Sequence, residues 1–578
     1  MRFDLDFKTL KRLRPAGFTD NASLLAMISG VMATNPAIAE AVGVGYAPLA
    51  LAGAGLAAAG GSWVAERLSR VSHLRAFESE LSINSDTPPP TAAGDGMLLG
   101  YCADTGDPIV IPWEDWMRHA FIIGQSGFGK TVMGSWLMLQ QITAGGGLMW
   151  IDGKLEYDNL ADLRAMCAWA GREDDLLVVN PGNPKMSNSY NPILYGDADE
   201  VAARILSLIP SAENNPGADH YRQGANQAIS TLVSAIQRTG RAYNFIDLTI
   251  LLQNQKALAW LESLVPPTSS ERKALSIFLE QFKSVGKDGT ISIDLKKLRD
   301  MFGGVGGRMH QFGSGNFGML TNTYTPEVNL FDAIRSNKIV YVMLPTMGKQ
   351  EAAANFGKMV IGDFRTAISW VQALPKNERP WPPYLGFFDE AGSYVTQAWS
   401  RIFEQARSAH LAMLPAVQTM ANFESISEEL REMVIGNTLT KMFFKLGTND
   451  TAEKAAEMIG KETRVAYTVS VSGSDGVSKT PKPVGSAKSR SQSGGGGYTE
   501  REDEDYKVSP DDLRKLDKGE CVITHSGSKV YHVKVPRINI SDEFRAAIGP
   551  VRINRFRNKF AKGLDLFRDV DRWLSGND

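Results

Sequence analysis

Cysteine is scarce in this chain of 578 residues. Cys102, Cys167 and Cys521 lie far apart, with no paired spacing suited to zinc or to a disulfide framework. That scarcity points to a reducing compartment for the bulk of the chain. Histidine is scarce too, at seven residues with no HExxH pattern and no cluster, so a metalloenzyme site has little to be built from. Charge of one sign is also lacking. The net charge of -2 excludes a uniformly basic nucleic-acid coat, but it leaves room for a local basic channel, because the distribution of charge matters more than its sum. No internal repeat occurs. The remaining composition, 43% hydrophobic and 22% charged, is that of a globular protein too long for one core.

One region is short of charge altogether. None falls between Asp20 and Glu40, or between Glu40 and Glu66, and the second gap contains Ala41 to Val64, 24 residues. As a helix that stretch spans roughly 36 Å, enough for a hydrocarbon layer of about 30 Å. Lys8, Lys11, Arg12 and Arg14 precede the pair, and Arg67, Arg70 and Arg75 follow it. Positive charge on both flanks suits a hairpin with both ends in the cytoplasm. Gly43, Ala47, Gly53, Ala57 and Gly61 suit close helix packing in lipid. The expectation is a membrane anchor over residues 1–75, with helices at about 22–39 and 41–64. A buried Ala/Gly-rich hairpin in a soluble protein is the alternative.

Beyond the anchor the patterning predicts an α/β fold. Met97–Gly100 and Pro108–Pro112 read as a small β-hairpin. Ala120–Ile123, Gly147–Ile151, Ile339–Leu344 and Tyr384–Phe388 read as buried strands, and Thr131–Thr143 as a helix. From about 197 to 318 the periodicity turns helical, at Val201–Ile209, Gln223–Ile236, Leu248–Leu264 and Glu271–Phe282. This predicts an all-α domain inserted between the two parts of a nucleotide-binding domain, residues 76–196 and 319–540. Ser- and Gly-rich residues at about 470–505 predict a disordered insert. Cys521–Thr524 and Val530–Val535 predict a terminal hairpin. In the tail, 541–578, Ile553, Phe556, Phe560, Leu564 and Phe567 recur at helical spacing among basic residues, which predicts an amphipathic helix.

Chemistry is concentrated at two motifs. Gly124-Gln125-Ser126-Gly127-Phe128-Gly129-Lys130-Thr131 matches GxxxxGK[ST], the Walker A pattern, between an expected strand and an expected helix. Its glycines let backbone N–H groups face phosphate oxygens at a helix N-terminus. Lys130 would reach the β- and γ-phosphates of ATP, and the Thr131 hydroxyl would hold Mg²⁺. The run Tyr384–Phe388 ending in Asp389-Glu390 has the Walker B form, with Asp389 for the metal and Glu390 to polarise the attacking water. Lys130 and Asp389 are 259 positions apart, which leaves room for the insertion. Gln418 ends the apolar run from Leu411 and could sense the γ-phosphate. Arg407, between the two, could be presented to a neighbouring subunit's nucleotide or could form an ordinary surface ion pair.

From Leu98 to about Val535 the chain resembles the type IV secretion coupling proteins, hexameric ATPases of bacterial conjugation related to FtsK-type translocases. The resemblance is carried by Leu99-Gly100, Pro108–Pro112 and His119 ahead of the Walker A loop, by Asp152-Gly153-Lys154-Leu155-Glu156, by Asn191-Pro192, and by Phe403–Ser408 with Gln418. It departs at Phe128, where the family more often has a small polar residue. It implies a RecA/FtsK-like P-loop fold, with Arg407 as an inter-subunit arginine and Gln418 as a sensor. It also implies a homo-hexamer in the bacterial inner (cytoplasmic) membrane with its ATPase domain in the cytoplasm. Such an assembly uses ATP to deliver relaxase-linked single-stranded DNA to a type IV secretion channel, with relaxosome proteins and secretion components as partners. Tyr221 and Arg222 with the helices after them would recognise the substrate complex. Rival readings are a coupling receptor for protein effectors, an assembly ATPase of the secretion machine, and a nucleotide-gated scaffold that hydrolyses little.

Overall fold

In the computed structural model of the chain, residues 81–568 are described, apart from 88, 90–95, 210–215, 286–290, 398, 481–486, 528 and 557–560. The expected membrane helices therefore lie outside the described residues, and no described helix is long and apolar enough to cross a membrane. The described chain forms two compact units. Of the described residues, one takes in those of 81–99, 110–442 and 535–568, the other those of 100–109 and 443–534.

Six strands organise the larger unit: β1 (Ala120–Ile123), β2 (Leu148–Asp152), β3 (Leu176–Val179), β4 (Ile339–Met343), β5 (Tyr384–Phe388) and β6 (Leu411–Val417). They lie in the order β1-β6-β5-β2-β4-β3, and every neighbouring pair is parallel. Every residue in them is buried, which is why they are unbroken apolar runs rather than alternating ones. Helix α1 (Lys130–Thr143) follows β1 and α2 (Tyr157–Trp169) follows β2. The strands expected at 120–123, 147–151, 339–344 and 384–388 are found to within one residue at each end. Parallel pairing puts their C-terminal ends on one edge, where ligands of such sheets bind. There β6 lies between the Walker A strand β1 and the Walker B strand β5.

From Asp197 the chain leaves the sheet for helices α3 (Ala198–Leu206), α4 (Pro216–Arg238), α5 (Phe245–Leu251), α6 (Gln255–Leu264), α7 (Ser270–Glu280), α8 (Leu295–Gly313) and α9 (Gly315–Thr321). Asp197 starts this run with a capping box to Glu200. The single helix expected at 248–264 is two, because the Asn254 side chain accepts from Ala257 N–H and caps a new start. The insertion, expected to be all-α, also holds a pair of short strands. Lys283–Val285 and Ile291–Ile293 pair antiparallel, and the signal for them is a Gly-Lys-Asp-Gly turn composition between β-branched residues. After β4, helix α10 (Gln350–Ala373) carries Asp363. Arg204 of α3 meets Asp363 at 3.1 Å and donates to Thr366 Oγ1 at 2.8 Å, while Tyr190 O–H donates to Asp363 at 2.7 Å. This buried pair pins the first helix of the insertion to the core.

The tail departs from the expected amphipathic helix. After a short helix, Asp542–Ile548, residues 549–556 and 561–568 contain no helix. They form instead an extended strap. Asn554 and Asn188 share a hydrogen bond, Glu327 accepts from Arg555 and from Phe556 N–H, and Ala242 exchanges backbone hydrogen bonds with Lys562 and Leu564. Asp247 accepts from Leu566 N–H. Leu564 and Leu566 are buried, whereas Phe556 and Phe567 are exposed, so the residues of the expected helical face do not share one buried surface. Their spacing mimicked one helical face, but the backbone found its partners in the folded unit instead.

In the smaller unit Glu520–His525 and Lys529–Lys534 form the expected antiparallel hairpin, and Tyr101 and Cys102 pair onto its second strand. Disorder was expected at about 470–505. The backbone instead forms a two-stranded antiparallel ribbon, Lys461–Thr480 with Ala487–Tyr506. The alternation Val465-Ala466-Tyr467-Thr468-Val469-Ser470-Val471 is the period-2 signal that the Gly/Ser composition hid. Neither strand contains a proline, so each residue has an N–H for the ladder.

Candidate nucleotide site

The loop from Gly124 to Gly129 joins the end of β1 to the start of α1. Its first residue is held by a hydrogen bond from Gly124 N–H to Val417 O, 3.2 Å, at the end of β6. Gly127 and Gly129 have φ of 82° and 120°, left-handed values that side chains with a Cβ resist. Gln125, Ser126 and Gly127 are exposed and Phe128 is half-buried, whereas Gly129 and Lys130 are buried. The Lys130 ammonium donates to Gly124 O at 2.7 Å, arched over its own loop. Burial pushes its pKa down, against the pull of Glu390 and Asp389.

Helix α1 lies so close to β5 that a Cβ on Gly134 would meet the Phe387 ring at 2.4 Å. This approach brings the two motifs together. Thr131 Oγ1 donates to Asp389 Oδ2 at 3.1 Å, and Glu390 N–H donates to Asp389 Oδ1 at 3.0 Å. Asp389 is 1% exposed, and burial first, then the Glu390 charge, raises its pKa. A hydroxyl and a buried carboxylate side by side are the oxygen donors that a hard cation takes. Beside a loop of backbone N–H groups at a helix start, the set fits a nucleoside triphosphate with Mg²⁺.

Glu390 stands at φ 51°, an uncommon conformation for a residue other than glycine and one that costs about 1 kcal/mol or more. Its carboxylate accepts from Gln418 Nε2 at 2.9 and 3.1 Å. Lys154 Nζ lies 3.5 Å from Oε1 of the same carboxylate. Asp152, at the end of β2, accepts from Tyr341 O–H at 2.7 Å, from Asn159 at 2.9 Å and from Lys154 N–H at 2.8 Å. Burial lifts its pKa to about 6, opposed by the hydrogen bonds from Asn159 and Tyr341. Tyr394 O–H supports the strand end by donating to Asp389 O at 2.8 Å.

Lys130, Thr131, Asp389, Glu390 and Gln418 thus converge at one sheet edge. Arg407 does not join them. It is exposed on the turn Ala406–Ala409, and among the described residues no hydrogen bond or ion pair links it to that set. His119 acts in packing rather than chemistry. Met413 N–H donates to its Nδ1 at 3.2 Å and its Nε2 donates to Phe403 O at 3.1 Å. Burial lowers its pKa to about 4, so the ring is neutral. Lys154 lies in the Asp152–Glu156 segment that carries the resemblance, but reasoning from motifs assigned it no role at the site. Nothing in sequence marks Tyr341 or Tyr394.

A family model described as the TraM recognition site of TraD and TraG matches residues 383–518, from the Walker B strand to the far side of the ribbon. The type 4 coupling protein DotL of Legionella pneumophila is 24% identical over 408 residues, 62% of this chain and 51% of the relative. The chain thus spans about half the length of that curated relative. Solved structures of the plasmid coupling protein TrwB, in complex with the non-hydrolysable GTP analogue GDPNP and with the ATP analogue ADPNP, each match with a TM-score of 0.50. They cover 78% of this chain and 92% of theirs, at 12% and 11% identity. At such identity the likeness is one of fold, a P-loop α/β sheet.

Proposed function

We propose, from the premise that this chain belongs to the type IV coupling proteins, that it is an ATPase that drives relaxase-linked single-stranded DNA into a secretion channel. The observation that carries the enzymatic part is the 3.1 Å hydrogen bond between Thr131 and Asp389, which joins residues 258 positions apart at one cation-binding corner. Mg²⁺ held there would neutralise charge on the β- and γ-phosphates. Lys130 binds and orients the phosphates, Glu390 orients and deprotonates the attacking water, and Gln418 holds Glu390 in place. Exposed Arg407 is free to reach a neighbouring subunit's nucleotide in a homo-hexamer, and residues 22–64 would anchor the ring in the inner membrane. Relaxosome proteins are the partners that suit the matched recognition domain.

The test is ATP hydrolysis by the full-length protein with and without single-stranded DNA over a range of salt. Stimulation by DNA that falls steeply with salt is expected. Hydrolysis indifferent to DNA would instead favour a receptor for protein effectors. Lys130→Ala should abolish hydrolysis, and Arg407→Ala should abolish it while leaving nucleotide binding intact.

A further inference from the structure

Lys154 is held with a precision that stability does not call for. Its ammonium lies 3.5 Å from Glu390 Oε1, with the lysine side chain 39% exposed and the glutamate 19%. An ion pair this accessible contributes about 0–1 kcal/mol to folding. Yet the short segment that aims it is fixed on every side. Lys154 N–H donates to Asp152 Oδ1 at 2.8 Å, and Asp152 is itself gripped by Tyr341 and Asn159. Thr346 donates to Gly153 O. Gly153 lies so close to the nucleophile-activating residue that a Cβ there would sit 2.7 Å from Glu390 Cβ. These contacts place a second ammonium, besides that of Lys130, beside the Glu390 carboxylate.

We propose, resting on the ATPase reading above, that Lys154 is a positioning residue for hydrolysis. Its ammonium pairs with Oε1 of the Glu390 carboxylate, while the Gln418 amide spans both oxygens. Two donors together restrain a carboxylate that a strained backbone delivers, and so restrain where the attacking water sits. A misplacement of this kind is felt in the chemical step rather than in nucleotide affinity. Arginine can restore the cation and its reach, whereas methionine keeps the length and loses the charge.

The experiment compares the full-length wild type with Lys154→Met and Lys154→Arg, measuring kcat, KM for ATP, affinity for a fluorescent ATP analogue and melting temperature. Lys154→Met should lose on the order of 10- to 100-fold in kcat, the usual effect of losing a group that orients another, with affinity and melting temperature nearly unchanged. Lys154→Arg should recover most of the loss. A kcat for Lys154→Met within about twofold of wild type overturns the proposal, as does an equal loss in both variants accompanied by a lowered melting temperature. Wild type that hydrolyses nothing, with or without DNA, overturns the ATPase reading instead and takes the proposal with it.

Discussion

Gln418 and Glu390, 28 positions apart, meet with both carboxylate oxygens of the glutamate within 2.9 and 3.1 Å of a single amide nitrogen. The amide at the end of β6 is therefore bound to the carboxylate at the end of the adjacent strand that is proposed as the general base. Glu390→Gln should keep nucleotide affinity and lower kcat by about 10²- to 10⁴-fold, the usual range for a lost general base. Single-turnover hydrolysis beside equilibrium binding of the ATP analogue checks this.

Thr131 donates its hydroxyl to Asp389 from the first turn of α1. Thr131→Ser preserves that oxygen and should stay within about tenfold of wild type. Thr131→Val has the same shape without the oxygen, and should lose Mg²⁺-dependent nucleotide binding, as read by titration at several Mg²⁺ concentrations.

Arg204 and Asp363 form a buried pair, 1% and 5% exposed at their side chains. Arg204→Met leaves Asp363 buried without its ion-pair partner, and should cost about 3–5 kcal/mol of stability. The double substitution Arg204→Met with Asp363→Leu should recover much of that loss. Urea denaturation of the single and double variants measures the difference.

His119 is neutral when folded, with a pKa of about 4 against an ordinary 6.5. The folded state binds the proton less well than the unfolded one, so this contribution to stability is present above about pH 6.5 and is lost as the pH falls toward 4. Wild type should lose stability on acidification more steeply than His119→Gln. His119→Ala should cost roughly 2–4 kcal/mol by stranding Met413 N–H and Phe403 O.

Asp247 titrates in the opposite sense. Burial raises its pKa to about 7, so the folded state holds the proton more tightly. Stability from this group is full below its ordinary carboxyl pKa and is lost as the pH rises through about 7. Because Asp247 anchors the strap through Leu566 N–H, protease cleavage of the C-terminal segment should quicken between about pH 5 and pH 8 in wild type. Asp247→Asn should flatten that dependence.

Strands β1, β2, β4 and β5 were legible because a strand buried on both faces must be continuously apolar, and the Walker loop because its glycines and lysine carry the motif in themselves. The ribbon and the strap were not. The Val465–Val471 alternation was masked by the Ser and Gly around it, and the strap's Leu564 and Leu566 borrow partners from Ala242 and Asp247, more than 300 positions away.

Residue order alone determined that Lys130 and Thr131 follow a glycine-rich loop between a strand and a helix and that Asp389 and Glu390 end a buried strand, because turn chemistry and strand burial are local. Tertiary structure decided that Lys154 faces Glu390, that Gln418 grips it, and that Arg407 stays apart. Those relations depend on β6 lying between β1 and β5 and on β2 flanking β5, and no local pattern encodes the order of strands in a sheet.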